Sequence, residues 1–133
     1  MRFSLSKWLA YTFLVGLMPF LTRALLWTIT SPGRVIPVAV SDVAAFGFVL
    51  HISMINELEH VPAKHREWST RQNAMSLVFI ALYDVVYTVG MLGEKDKALI
   101  DVPLMSVSCL TLVLLSMVVS ASVVSRLTQG SSC

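Results

Sequence analysis

Four long apolar blocks, at residues 8–30, 35–56, 74–93 and 99–124, leave almost no sequence for a water-soluble domain. Each block has about 20 residues or more, and a helix of that length crosses a bilayer core of about 30 Å. Charged residues make up 14% of the chain, whereas soluble domains carry about 25%. Because the blocks are apolar all round, they lack the polar face of a soluble bundle. We predict an all-α membrane protein: a single four-transmembrane-helix bundle over residues 1–126, with short loops.

The strongly polar stretch between the second and third blocks, residues 57–73, is called the polar segment below. We predict that it is a polar loop in which Pro62 separates a helical extension of the second span from a short interfacial segment, with Ser69 or Thr70 capping the third helix. We also predict that residues 127–133 form a flexible tail. With the N-terminus inside, the inner side of the membrane holds six Lys/Arg residues and the outer side four. Because Lys and Arg favour the cytoplasmic side, we expect both termini and the polar segment in the cytoplasm.

Asp84 is the strongest single candidate for a functional residue, because it lies near the middle of the third apolar block. An acid there costs at least about 2.5–3.5 kcal/mol on membrane-insertion scales. Tyr87 shares its helical face at the i,i+3 spacing. Asp84 is therefore either an ion or proton site that faces a bundle interior, or a hydrogen-bonded aspartate that holds helices together.

Arg23 and Asp42 lie at the same predicted depth on neighbouring antiparallel helices. Arg23 is about 22 Å from Trp8 at the inner interface, and Asp42 is about 9 Å below the outer interface. We expect an ion pair; the alternatives are that Arg23 snorkels to the headgroups or that the pair serves transport. His51 is either a proton relay or, as is more common for a lone intramembrane histidine, a neutral packing residue.

The polar segment is the natural docking surface for a cytoplasmic protein partner, since its mixed charges argue against simple binding to anionic lipid. The expected docking residues are Glu57, Glu59, His60, Lys64, His65, Arg66, Glu67 and Trp68. Glu57 and His60 have one spacing of di-iron bundles, but a second such motif is missing, so no metal is predicted. Small residues in the fourth block predict a helix-packing face that would suit an interface between the subunits of a homo-oligomer, and a hydroxyl-lined pore is the alternative. The packing residues are Ser116, Ser120, Ala121 and Ser125.

The sequence contains no nucleophile constellation or phosphate-binding loop, so we expect no catalytic residues, no cofactor and no enzyme. A formal charge of +2 without a dense basic run gives no reason to expect direct nucleic-acid binding. Three functions stay open. The first is a membrane subunit or sensor with a cytoplasmic partner. The others are a small oligomeric ion channel or proton-coupled transporter that uses Asp84, and a holin-like or toxin-like membrane protein.

Residues 41–48 (SDVAAFGF) and 55–60 (INELEH), together with the four-span layout, resemble the membrane subunit of the Kiwa antiphage defence system of bacteria. The resemblance implies an oligomeric, multi-pass sensor in the bacterial inner membrane. It also implies a cytoplasmic DNA-binding partner that docks on the polar segment. It assigns no functional residue.

Overall fold

The computed structural model describes residues 4–33, 39–96 and 98–131, and these residues form helices joined by short turns. The helices are α1 (Leu5–Ile29), α2 (Val40–Glu59), α3 (Arg66–Lys95) and α4 (Val102–Ser131), with one 3₁₀ turn at Ala63–His65. Three helical stretches are long and apolar enough to cross a membrane: Leu5–Ile29, Ala63–Lys95 and Val102–Gly130. The chain is therefore a helical membrane protein, and α2 is the helix outside that set.

α2 packs against all three other helices. Its buried side chains include the polar residues Ser41, Asp42 and His51. α1, by contrast, exposes most of its large apolar side chains. Polar groups at membrane depth are tolerated where protein rather than lipid surrounds them. The position of α2 between its neighbours therefore explains how it can carry polar residues that would be costly on a lipid-facing helix.

Contacts between helix ends show that neighbouring helices run antiparallel. Trp8 near the start of α1 packs in one cluster with Leu58 near the end of α2 and Val123 in the last third of α4. At the opposite end, Arg23 in α1 pairs with Asp42 at the start of α2 and also contacts the end of α3. The start of α1 and the end of α4 therefore both lie at the end of the bundle that carries the polar segment.

Two side-chain contacts to the backbone position the ends of α2. Asp42 Oδ2 accepts a hydrogen bond from the backbone N–H of Ala39 at 3.2 Å, where the helix dipole also favours a carboxylate. At the other end, the Ser69 hydroxyl donates to the carbonyl oxygen of Leu58 at 2.6 Å. This second bond holds the first turn of α3 against the last turn of α2.

The polar segment is mostly helical: the predicted extension of the second span before Pro62 is present, and α3 begins at Arg66, before the predicted cap at Ser69 or Thr70. Residues 57–59 continue α2 and residues 66–73 begin α3. A helix satisfies its own backbone hydrogen bonds, so both helices continue beyond the apolar blocks. Pro62, which has no N–H to donate, lies in the short turn between them.

The C-terminal end of the chain differs from the predicted flexible tail in the same way, because residues 127–131 continue α4. Residues 132–133 of that tail, and residues 35–38 at the predicted start of the second block, lie outside the described residues.

Candidate functional site

A buried polar triad of His51, Tyr83 and Ser116 lies at the centre of the bundle. Ser116 Oγ is 2.9 Å from His51 Nε2 and 2.7 Å from the Tyr83 hydroxyl, and all three residues are fully buried. The His51 ring stacks on Phe79 with ring centroids 4.7 Å apart. Gly47 makes room for the Tyr83 ring, which a Cβ at that position would overlap. One side chain each from α2, α3 and α4 therefore meet around a single hydroxyl.

The second ring nitrogen of His51, Nδ1, is buried and has no hydrogen-bond partner among the described residues. A proton relay needs donors and acceptors on both sides of the imidazole, and the described part of the chain provides them only at Nε2. The geometry therefore favours the packing role for His51, as a side chain that bonds helices to one another.

Arg23 and Asp42 form the ion pair expected from their equal depth, with Nε 2.5 Å from Oδ2. Arg23 Nη2 also lies 3.3 Å from Glu94 Oε1, and the Ser41 hydroxyl donates to the same oxygen at 3.3 Å. The Arg23 and Asp42 side chains are 20% and 10% exposed, so the pair is largely covered. One guanidinium thus joins α1, α2 and α3 at the end opposite the polar segment.

Asp84 lies on the outer surface of the bundle, away from both clusters. It is exposed, as are Thr88 and Tyr87 on the same helical face. Among the described residues, none forms an ion pair or hydrogen bond with its carboxylate. We expected Asp84 to face the bundle interior or to bond another helix, and a single copy of the chain provides neither. The reason is that Tyr83, one residue earlier, occupies the inward-facing position on α3.

A cavity of about 1240 Å³ opens at the polar-segment end, and all four helices contribute to its wall. Trp68 lines it, and the guanidinium of Arg126 lies 5.1 Å from the centre of the Trp68 ring. The Thr12 hydroxyl, in a residue of the same wall, is buried and has no hydrogen-bond partner among the described residues. The charged and histidine residues of the lining are Lys7, Glu57, His60, Lys64, His65 and Arg126.

The predicted docking residues divide into two groups around this cavity. Glu57, His60, Lys64, His65 and Trp68 line it, whereas Glu59, Arg66 and Glu67 are exposed and stand outside its wall. Glu67 instead faces Arg71, four residues later on α3, at 3.8 Å. Five of the eight predicted docking residues therefore line the cavity, and docking itself stays a prediction.

The predicted packing residues of α4 also divide. Ser116 and Ser120 are buried within the chain, with Ser120 Oγ 2.9 Å from Met54 Sδ. Ala121 and Ser125 are exposed on the outer surface. Two of the four positions therefore pack against α2 in the same copy and are not free to contact another subunit.

Sequence reasoning missed Lys7 and Arg126 in the cavity wall, Glu94 beside Arg23, and the contact of Tyr83 with Ser116. The signal that could have found them is depth. In an up-and-down bundle, both chain ends return to the polar-segment end, and Glu94 ends α3 at the level of Arg23. Buried polar side chains at equal depth then bond to one another, because lipid offers them no alternative.

No group of three or more His, Cys, Asp or Glu side chains that could hold a metal ion occurs in residues 4–33, 39–96 and 98–131. Comparisons of the chain with family models, curated proteins and solved structures find no match. Arguments about function therefore rest on the geometry, and the resemblance to the Kiwa membrane subunit stays a prediction.

Proposed function

We propose that this chain is a non-enzymatic, four-span membrane subunit that binds a cytoplasmic protein at its polar-segment end. The observation that carries the proposal is that Lys7, Lys64 and Arg126, from three distant parts of the sequence, line one cavity with the inward half of the polar segment. A surface built from all four helices is preorganised, so less conformational freedom is lost when a partner binds it.

The four-span arrangement is supported by the position of α2. α2 reaches from one end of the bundle to the other, because its first turn contacts Arg23 and its last turn contacts Trp8. Its buried polar residues are covered by α1, α3 and α4, so they need not face lipid. If α1, α3 and α4 span the membrane, α2 spans it with them. The start of α1 and the end of α4 then lie on the side of the polar segment, which the Lys/Arg distribution predicts to be the cytoplasm.

The lining of the cavity favours a protein as the occupant. It combines Lys7, Lys64 and Arg126 with Glu57, and it adds the large aromatic surface of Trp68. Protein interfaces typically combine aromatic anchors with charged side chains at the rim. The volume of about 1240 Å³ exceeds the usual range for small-molecule pockets, about 300–1,000 Å³, and suits a turn or helix end of a partner.

The test compares two charge reversals that stand two residues apart. Lys64 lines the cavity, and Arg66 is exposed outside it. The partner is first identified by crosslinking in cells that naturally express the chain, and its affinity is then measured with both proteins purified. We expect Lys64→Glu to weaken binding about fivefold, as reversal of a rim charge does, and Arg66→Glu to leave it unchanged. Equal losses, or no loss in either variant, would contradict docking at the cavity.

A second function, an oligomeric ion channel or transporter, is favoured by the exposed acid Asp84 at mid-membrane. Within one copy the carboxylate faces outward, so an ion path through it needs more than one subunit. The test is ion flux in liposomes. Absence of flux from the wild-type protein would exclude this function, and equal flux from Asp84→Asn would exclude an ion path through Asp84.

The resemblance to the Kiwa membrane subunit adds a biological setting to the first proposal. It suggests a bacterial inner membrane, and a DNA-binding protein of antiphage defence as the partner that the crosslinking would recover.

A further inference from the structure

Asp84 lies where an exposed carboxylate is least tolerated. The charged residues that bracket it on α3 are Arg71, about 20 Å away along the helix axis, and Glu94, about 15 Å away in the other direction. Asp84 is therefore near the middle of a bilayer that α3 crosses. An unpaired charge at that depth costs several kcal/mol, and ionisable groups in membranes are normally paired or turned towards protein.

The exposed face around Asp84 has the spacing of a helix-pairing seam. Intervals of three and four residues alternate along this face. Alternation of this kind is the heptad pattern of two α-helices that pack in a left-handed coiled coil. Ala74, Ala81 and Thr88 are small and let a second helix approach closely, and Leu77 and Met91 are the large apolar positions of the same face. All six seam residues are exposed: Ala74, Leu77, Ala81, Asp84, Thr88 and Met91.

The chemistry of the seam is complementary to itself. In two parallel heptad helices each residue faces its own copy, so the Asp84 side chain lies opposite the second Asp84. A proton held between two carboxyl groups makes a hydrogen bond across the pair. The hydroxyl of Thr88, one turn away on each helix, supplies a further donor. If all copies of α3 cross the membrane in the same direction, as the Lys/Arg distribution predicts, a parallel pair related by a two-fold axis is the arrangement open to them.

We propose that the seam on α3 is the interface at which two copies of this chain associate, with the two Asp84 side chains hydrogen-bonded at its centre. This assignment differs from the small-residue face of α4, because Ser116 and Ser120 are already buried inside one copy. The proposed α3 interface is independent of partner docking, because the docking cavity lies beyond the seam, at the N-terminal end of α3.

The first experiment maps the interface by disulfide formation in native membranes. In a Cys109→Ser/Cys133→Ser background, Ala81→Cys places a thiol in the seam. Leu82→Cys places one about 160° around α3 from Asp84, at a residue that is 46% exposed. We expect Ala81→Cys to form disulfide-linked dimers at least fivefold more efficiently than Leu82→Cys under mild oxidation. Comparable yields from the two positions, or no dimer from Ala81→Cys, would overturn the proposal.

The second experiment tests Asp84 itself, by energy transfer between labelled copies in vesicles of increasing lipid-to-protein ratio. Asp84→Leu replaces the carboxyl group with an apolar side chain that suits lipid but cannot form the proposed hydrogen bonds. We therefore expect the association constant to fall about three- to thirtyfold. Asp84→Asn keeps a donor and an acceptor and should stay within about threefold of the wild type. Unchanged association of Asp84→Leu would contradict the interface.

Lys64→Glu separates this proposal from the docking proposal. It reduces partner binding if the cavity docks the partner, and it leaves self-association unchanged. Loss of self-association in Lys64→Glu with none in Asp84→Leu would also contradict the α3 interface.

Discussion

Replacing Ser116 with Ala removes the one hydroxyl that His51 and Tyr83 both contact, at 2.9 and 2.7 Å. The substitution leaves the backbone of α4 unchanged and takes away a single buried oxygen. His51 then has no hydrogen-bond partner at Nε2, and it already has none at Nδ1 among the described residues. Tyr83 keeps its place against Gly47 but loses its bond.

The expected loss follows from two interhelical hydrogen bonds. Such bonds in membrane proteins contribute about 0.6 kcal/mol on average and up to about 1.7 kcal/mol. Two of them, in fully buried surroundings, give a decrease of about 1–3 kcal/mol in the free energy of unfolding. The upper half of that range applies here because water cannot reach the unpaired groups and replace the bonds.

The assay is the free energy of unfolding in lipid bicelles, with Ser122→Ala as the matched control. Ser122 is exposed on the same helix, and its hydroxyl donates only to the Val118 carbonyl one turn earlier, at 3.0 Å. We expect Ser122→Ala to change the free energy of unfolding by less than about 0.5 kcal/mol. Equal stability of the Ser116→Ala and Ser122→Ala variants would refute the idea that the triad holds α2, α3 and α4 together.

Two further substitutions test the packing of α2. Gly47→Ala places a methyl group on the Tyr83 ring, so we expect a loss of about 1–3 kcal/mol in the free energy of unfolding. The control is Gly130→Ala, whose added methyl group would contact nothing nearby, so it should be neutral or slightly stabilising. Both variants are compared by thermal unfolding, and equal effects would argue against close α2–α3 contact. Arg23→Leu leaves the Asp42 carboxylate without its nearest cation and should cost on the order of 3 kcal/mol. Arg23→Leu/Asp42→Leu should recover most of that loss, and a double variant as unstable as the single one would show that the pair is not the cause.

The features that could be predicted from the sequence are those that depend on length and depth. Apolar blocks of sufficient length predict membrane helices, and α1, α3 and α4 meet that standard in the structure. The Arg23–Asp42 pair follows from counting 1.5 Å per residue along two antiparallel helices. Depth in the membrane was enough to pair Arg23 with Asp42, because α1 and α2 each carry a single charged residue at that depth.

Features that depend on rotation about a helix axis could not be predicted in the same way. Asp84 and Tyr83 lie at the same depth, and an all-round apolar helix gives no pattern that tells which one faces inward. Their directions depend on contacts from other helices, namely Ser116 and the space left by Gly47. The start of α3 at Arg66, before the predicted cap at Ser69 or Thr70, was missed for a related reason, since polarity indicates exposure to water and does not distinguish an exposed helix from a loop.

We propose that α2 crosses the membrane as a fourth span, covered by the other three helices. The most direct test is labelling of single cysteines from one side of the membrane with an impermeant reagent, at Ser6→Cys, Lys64→Cys, Asp96→Cys and Gln129→Cys. We predict that the cysteines at residues 6, 64 and 129 react only from the cytoplasmic side, and that the cysteine at residue 96 reacts only from the opposite side. Reaction of the cysteines at residues 6 and 64 from opposite sides would contradict the claim, because α2 would then not cross the membrane.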